Sequence, residues 1–212
     1  VNGVWHKMTL GVERSFASIT NLVPFYNTRT RITSFSGNSN GSTVLVTGPD
    51  MKLAYSKTGG SSWILRGNVT DKPSSTDIVS SAFADDAFYI GLSQGSIYKA
   101  DDPAGSFSHL GTTYDGSRVV GFAESDTKLL ALTSTGQVID LFSGNYLTQG
   151  LNSGGSQGTA IGSDGALMVA GFSSGYASIS VNNGTDWDPL PRGLGLYSRP
   201  TITSVAVKGN MI

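Results

Sequence analysis

The chain predicts an all-β fold: a β-propeller of four-stranded antiparallel blades, about five in number or part of a larger ring. Three observations carry this. Trp63, Phe107, Tyr146 and Trp187 recur at repeat spacing, 44, 39 and 41 residues apart. Each closes a segment of the same order: an apolar run, a small polar turn, a second apolar run, then a Gly/Ser/Asp-rich loop. The composition agrees, with 28 glycines among 212 residues, 14% charged and 38% hydrophobic, which suits short strands joined by tight turns. One such sheet cannot bury both faces alone, so units of this kind stack radially and leave only short edges. A β-sandwich would not group its strands in fours.

The elements follow in order. "WHKMTLG" at 5–11 reads as the outermost strand of a blade, with Trp5 at the repeat position of Trp63. Residues 12–30 exceed the period and read as an insertion. Four blades are expected at about 31–73, 76–115, 117–152 and 156–196. In each, a strand precedes the copied segment: "ITSFSG" from Ile32, "DIVSSAFA" from Asp77, "RVVGFA" from Arg118 and "GTAIG" from Gly158. Asp85, Asp86, Asp126 and Asp164 then fall at one repeated hairpin, where Asp tolerates left-handed backbone and bonds its own main chain. Residues 201–212, "TITSVAVKGNMI", read as the first strand of a fifth blade. Joining this segment to residues 1–11 leaves roughly one inner strand and its loop missing, so the propeller domain over 1–212 is expected to be a five-bladed ring with a gap or part of a larger ring.

Composition also excludes function classes. Net charge is −1, with no basic run, so no nucleic-acid partner is expected. No apolar run approaches the ~20 residues that span a bilayer, and no membrane insertion is expected. The absence of cysteine removes disulfides and thiolate chemistry. The first residue is Val1, not Met, and a piece of a longer protein is expected.

The loops before the aromatics carry a further pattern. "SVNNGTDW" at 180–187 and "SKTGGSSW" at 56–63 share Ser, Gly and Trp at fixed offsets, and "ADDPAGSF" at 100–107 is a looser copy. These stretches resemble the Asp-box (BNR repeat), Ser/Thr-x-Asp-x-Gly-x-Thr/Ser-Trp/Phe. Ser180, Gly184 and Trp187 match, with Asn182 in the Asp position and Asp186 in the Thr position. Ser56, Gly60, Ser62 and Trp63 match, with Thr58 in the Asp position. Asp102, Ser106 and Phe107 match in the third, and the blade ending at Tyr146 keeps only the aromatic. The resemblance implies a structural role at the blade periphery. A short acceptor bonds the turn's N–H groups, Gly permits an awkward backbone angle, and the aromatic packs between sheets.

Catalytic constellations are sparse. The "RTRITSF" stretch at 29–35 lacks the Pro of a sialidase arginine motif, and the other arginines (Arg14, Arg66, Arg118, Arg192, Arg199) stand in no such context. Glu13 and Glu124 are the only glutamates, and the aspartates read as turn formers, which leaves no clear carboxylate pair for glycoside hydrolysis. Asp101 and Asp102 fit a box turn better than a calcium site. His6 and His109 read as outer-strand residues without the partners zinc needs. Sequons at Asn40, Asn68 and Asn183 are of a kind that Ser/Thr/Gly-rich sequence produces by chance. No catalytic residue, metal or cofactor is expected.

The low charge and the phrase "LAYSKTGGSSW" resemble propellers of phage tail and adsorption proteins. That resemblance implies a non-enzymatic virion component docking other virion or assembly subunits, or a host receptor, with an extracellular protein as the alternative location. The alternative function is a lectin-like propeller binding a cell-surface glycan, with Tyr98, Tyr176 and Tyr197 as stacking candidates, although blade packing is the preferred reading of each; a sialidase-like glycosidase ranks behind it. No ligand-binding residue is assigned.

Overall fold

The computed structural model describes residues 31–67, 76–147, 151, 155–190 and 200–209. The expected N-terminal strand and the 12–30 insertion lie outside them, as do Glu13, Arg14, Arg29, Asn68, Arg192, Tyr197, Arg199 and His6. The described residues form strands and turns, with no helix among them.

Four antiparallel meanders follow one another. The first blade holds β1 (Ser34–Gly37), β2 (Val44–Thr47), β3 (Leu53–Ser56) and β4 (Ile64–Arg66). The second holds β5 (Ile78–Ala84), β6 (Ala87–Leu92), β7 (Ser96–Ala100) and β8 (Ser108–Thr112). The third holds β9 (Val119–Glu124), β10 (Leu129–Thr133) and β11 (Val138–Asp140). The fourth holds β12 (Gly158–Asp164), β13 (Leu167–Phe172), β14 (Ala177–Ser180) and β15 (Asp188–Pro189). The expected fourth strand of the third blade shrinks to a single bridge, Ile139 to Tyr146.

The burial gradient explains the sequence pattern. β2, β6 and β10 are buried at every residue; β6 and β10 lie in blades with a described neighbour on each side. They therefore read as continuous apolar runs instead of alternating ones. The outer strand β8 is mostly exposed. Leu45, Leu53 and Tyr55 of the first blade share a core with Phe88, Ile90, Tyr98 and Phe107 of the second. Leu130, Leu132 and Val138 of the third pack on Met168, Ala170, Phe172 and Trp187 of the fourth.

Blades meet closely along their second strands. A Cβ on Gly91 would stand 2.7 Å from Val119 Cβ, and one on Gly171 would stand 2.5 Å from Ile202 Cγ2. Glycine here is a packing requirement, since Gly91 of β6 faces the third blade's inner strand. The Ser80 hydroxyl adds a buried bond across the same interface, donating to Val119 O at 2.8 Å. Residues 200–209 take the position of the next inner strand: Ile202 N donates to Phe172 O at 3.2 Å, as Ile78 N does to Gly48 O and Gly158 N to Ser134 O. They form no ladder beyond a bridge at Lys208.

Candidate functional site

The two Trp-ending turns share one set of hydrogen bonds. At 56–63 the Ser56 Oγ accepts the Gly60 N–H at 2.9 Å. Thr58 Oγ1 accepts Ser62 N–H at 2.9 Å, and Trp63 Nε1 donates to Gly60 O at 3.0 Å. At 180–187 the same three bonds recur: Gly184 N–H to Ser180 Oγ at 2.9 Å, Asp186 N–H to Asn182 Oδ1 at 3.0 Å, and Trp187 Nε1 to Gly184 O at 3.0 Å. Gly60 and Gly184 sit at φ +86° and +71°, in the left-handed region glycine favours. Two loops with different residues thus make one hydrogen-bonded object in which the Ser and Thr/Asn acceptors are spent on the turn itself; in the second, Thr185 Oγ1 accepts Lys128 Nζ from the third blade at 2.8 Å and Asn183 Oδ1 is buried without a partner.

Asn182 and Asp186 are coupled. Asn182 Nδ2 donates to Asp186 Oδ2 at 2.8 Å while its Oδ1 also accepts the Ser180 hydroxyl at 2.9 Å. A carboxylate at 182 would face Asp186 with like charge, and an amide does not.

The copy at 100–107 is weaker. Ala100 has no hydroxyl, and Asp102 Oδ1 accepts Ala104 N–H two residues on at 2.9 Å. Its other oxygen takes Lys57 Nζ from the first blade. That bond, and then the Ala104 N–H, hold the Asp102 carboxyl below the usual aspartate range. Arg66 adds a second clasp, with Nη1 donating to Pro103 O at 2.9 Å and Gly105 O at 2.6 Å. Asp102 is therefore a half-exposed interblade link.

Where the aromatics go differs from expectation at two of four positions. Phe107 and Trp187 are buried against the preceding blade, at 5% and 2% exposure. Trp63 is only half-buried, and Tyr146 is 41% exposed. Tyr146 is displaced because its turn is shorter, following Asp140 by six positions where Trp187 follows Ser180 by seven. Asp140 itself was missed from sequence. It takes the place that Ser56 and Ser180 hold in their turns, buried, and accepts Phe142 N–H at 3.0 Å and Ser143 Oγ–H at 2.8 Å. Of the sugar-stacking candidates, Tyr98 is fully buried and Tyr176 packs on the core between the third and fourth blades. Tyr98 presents no face to a ligand: blade packing, the preferred reading of this residue, claims it and removes it as a stacking candidate.

The displaced Tyr146 opens a groove of about 130 Å³ between the second and third blades. Ile97 and Ile139 form its floor, with Leu110, Gly111, Leu141 and Tyr146 as walls. Leu110 reaches it as the extra residue of a β-bulge, since Ile97 pairs with Gly111 and Tyr98 with His109; a bulge re-aims a side chain in this way. The Tyr146 hydroxyl accepts Tyr114 N–H at 2.6 Å, which seats Tyr114, 90% exposed, on the rim. Beyond it, Asp115 accepts Ser117 N–H at 2.9 Å and Thr135 Oγ1–H at 3.0 Å. Bonds from Ser117 foremost, and also from Thr135, hold its carboxyl below the usual range.

The inner-hairpin aspartates divide between two roles, turn formation at 85 and 86 and a link to the 200–209 segment at 164. Asp85 and Asp86 both adopt positive φ, +46° and +54°. Asp164 pairs with Lys208 at 3.7 Å and accepts Gly209 N–H. Among the described residues, no group of three His, Cys, Asp or Glu stands placed to hold a metal ion.

No family model and no curated relative matches the chain. Solved β-propellers do match. A structure of YCF48 bound to a D1 peptide superposes with TM-score 0.60 at 20% identity, covering 76% of this chain and 53% of that one. The RRP9 WD40 repeats give TM-score 0.61 at 11% identity, covering 76% and 51%. The GH74 xyloglucanase of Xanthomonas campestris gives 0.54 at 20% identity, covering 72% and 28%. The chain spans about half the length of the first two. At these identities the likeness establishes the propeller fold.

Proposed function

We propose that the chain is a non-enzymatic interaction propeller. Its blades form a rigid scaffold, and its rim docks a protein partner. The single observation that carries this reading is how the surface groups are spent. The Asp102, Asp115, Asp140 and Asp164 carboxylates and the Ser56, Thr58 and Ser180 hydroxyls bond their own turns or a neighbouring segment, while Leu110, Tyr114, Phe142 and Tyr146 stand exposed on the rim of the second and third blades. Apolar side chains gathered at one place on a surface suit protein recognition. YCF48, one of the similar propellers, is solved with a peptide, which supports the same class of partner here.

The setting we propose is a phage virion, with the propeller in the tail docking neighbouring subunits or a host receptor. The tail-like phrase "LAYSKTGGSSW" and the low charge support it. Proteomics and immunogold labelling of purified particles from the source test it: the chain should co-purify with virions and label the tail. Its absence from intact particles would refute the virion setting. A glycan array and fluorogenic sialosides and β-glucosides test the rest. Binding or turnover at the level of a dedicated lectin or glycosidase would refute the reading.

A further inference from the structure

We infer that the groove between the second and third blades is an anchor site for one large apolar side chain of a protein partner, carried next to a Lys or Arg. This rests on the interaction-propeller reading and gives it a place and a chemistry. The equivalent interblade positions are filled. Between the first and second blades Arg66 bonds the Pro103 and Gly105 carbonyls. Between the third and fourth, Leu147 and Leu151 pack on the core that holds Trp187. Between the second and third, Tyr146 stands outward and about 130 Å³ is left. That compares with the roughly 150 Å³ apolar cavities that take up benzene.

The polar groups around the groove decide the class of occupant. Thr113 Oγ1 donates to Ser117 O at 3.0 Å, and Thr112 Oγ1 meets His109 Nε2 at 3.1 Å. The Asp140 carboxylate is held by its own turn, and the Tyr146 hydroxyl by Tyr114. A sugar needs such groups free to meet its hydroxyls; an apolar side chain needs none. Charge then selects the flank. Asp115, next to the rim residue Tyr114, is exposed and kept ionised, and it forms no salt bridge among the described residues. Arg118 stands three positions away without pairing to it. A cation beside the anchoring side chain complements that carboxylate, and exposed Tyr114 offers it an aromatic face.

Gly111 supplies the test. It lines the groove, and a Cβ placed on it meets nothing within 4 Å, so Gly111→Val plugs the groove without crowding the fold. The probes are capped peptides Gly-Ser-Phe-Lys-Ser-Gly, the Phe-Glu and Ser-Lys controls, and methyl glycosides, titrated into the ¹⁵N-labelled full chain by NMR. The Phe-Lys peptide should shift the amides of Gly111, Thr112, Ile139 and Gly144, more strongly than either control. Gly111→Val should weaken it about tenfold or more, as loss of an anchor does, with melting unchanged. Asp115→Asn should erase the preference for Lys over Glu and leave Phe binding in place. Three results would overturn the site: no shift with Phe-Lys, equal binding by the plugged chain, or glycosides shifting these amides in preference. If the plugged chain still engages protein partners in particles, the groove fails while the interaction-propeller reading stands.

Discussion

Trp187→Ala tests the structural reading of the repeated turns. The Trp187 ring is 2% exposed and packs on Leu130, Leu132, Met168 and Phe172 across two blades. A buried tryptophan removes about 200 Å² from water, which at about 25 cal/mol per Å² gives ~5 kcal/mol. Partial collapse of the hole reduces that, and the lost Nε1–H bond to Gly184 O restores part of it. The expected loss is about 4 kcal/mol, within the range for buried aromatic truncations. For a chain of this size it corresponds to a fall in melting temperature of about 8–16 °C. Trp63→Ala is the internal control. Its turn makes the same hydrogen bonds but its ring is half-buried, so its loss should be about half or less. Thermal and urea unfolding followed by circular dichroism measure both. Equal melting losses for the two variants, or an unchanged Trp187→Ala protein, would refute the reasoning.

Other outcomes follow from the same geometry. Asn182→Asp should destabilise by about 1 kcal/mol through repulsion with Asp186, and adding Asp186→Thr should recover it; urea midpoints for the cycle would show non-additivity, and simple additivity would contradict the coupling. Gly91→Ala and Gly171→Ala should each cost about 1–3 kcal/mol by overpacking adjoining blades, whereas Gly111→Ala should be near neutral in the same melts. The Asp102 carboxyl has its folded pKa below its unfolded one, first because of Lys57. Its contribution is therefore present above about pH 4, the unfolded value, and is lost as pH falls through the lower folded one. Lys57→Ala should flatten that acid limb of a melting-versus-pH curve while changing the neutral value little, because the pair is exposed.

The blade architecture was legible because burial on both faces writes continuous apolar runs such as "AFYIGL" of β6, while turns write Asp and Gly at fixed offsets. The turn role of Ser56, Thr58, Gly60, Ser180, Asn182 and Gly184 was legible for the same reason: a local hydrogen-bond pattern depends on local spacing. What depends on contact between blades was not. The burial of Trp187 and the half-exposure of Trp63 follow from what lies against each turn, which their shared motif does not encode. The exposure of Tyr146 did have a signal, the turn one residue shorter after Asp140, but its consequence is a groove walled by Leu110 of another blade. Only the packed structure brings those residues together.

The central claim is that the repeated turns hold the scaffold while the interblade groove meets the partner. Photo-crosslinking within the proposed virion separates the two most directly, with benzoylphenylalanine placed at Tyr114 on the groove rim or at Val181 in the exposed part of the 180–187 turn. A discrete protein adduct from position 114 and none from 181 is the predicted result. An adduct from 181 alone would contradict it and make the turn the binding site.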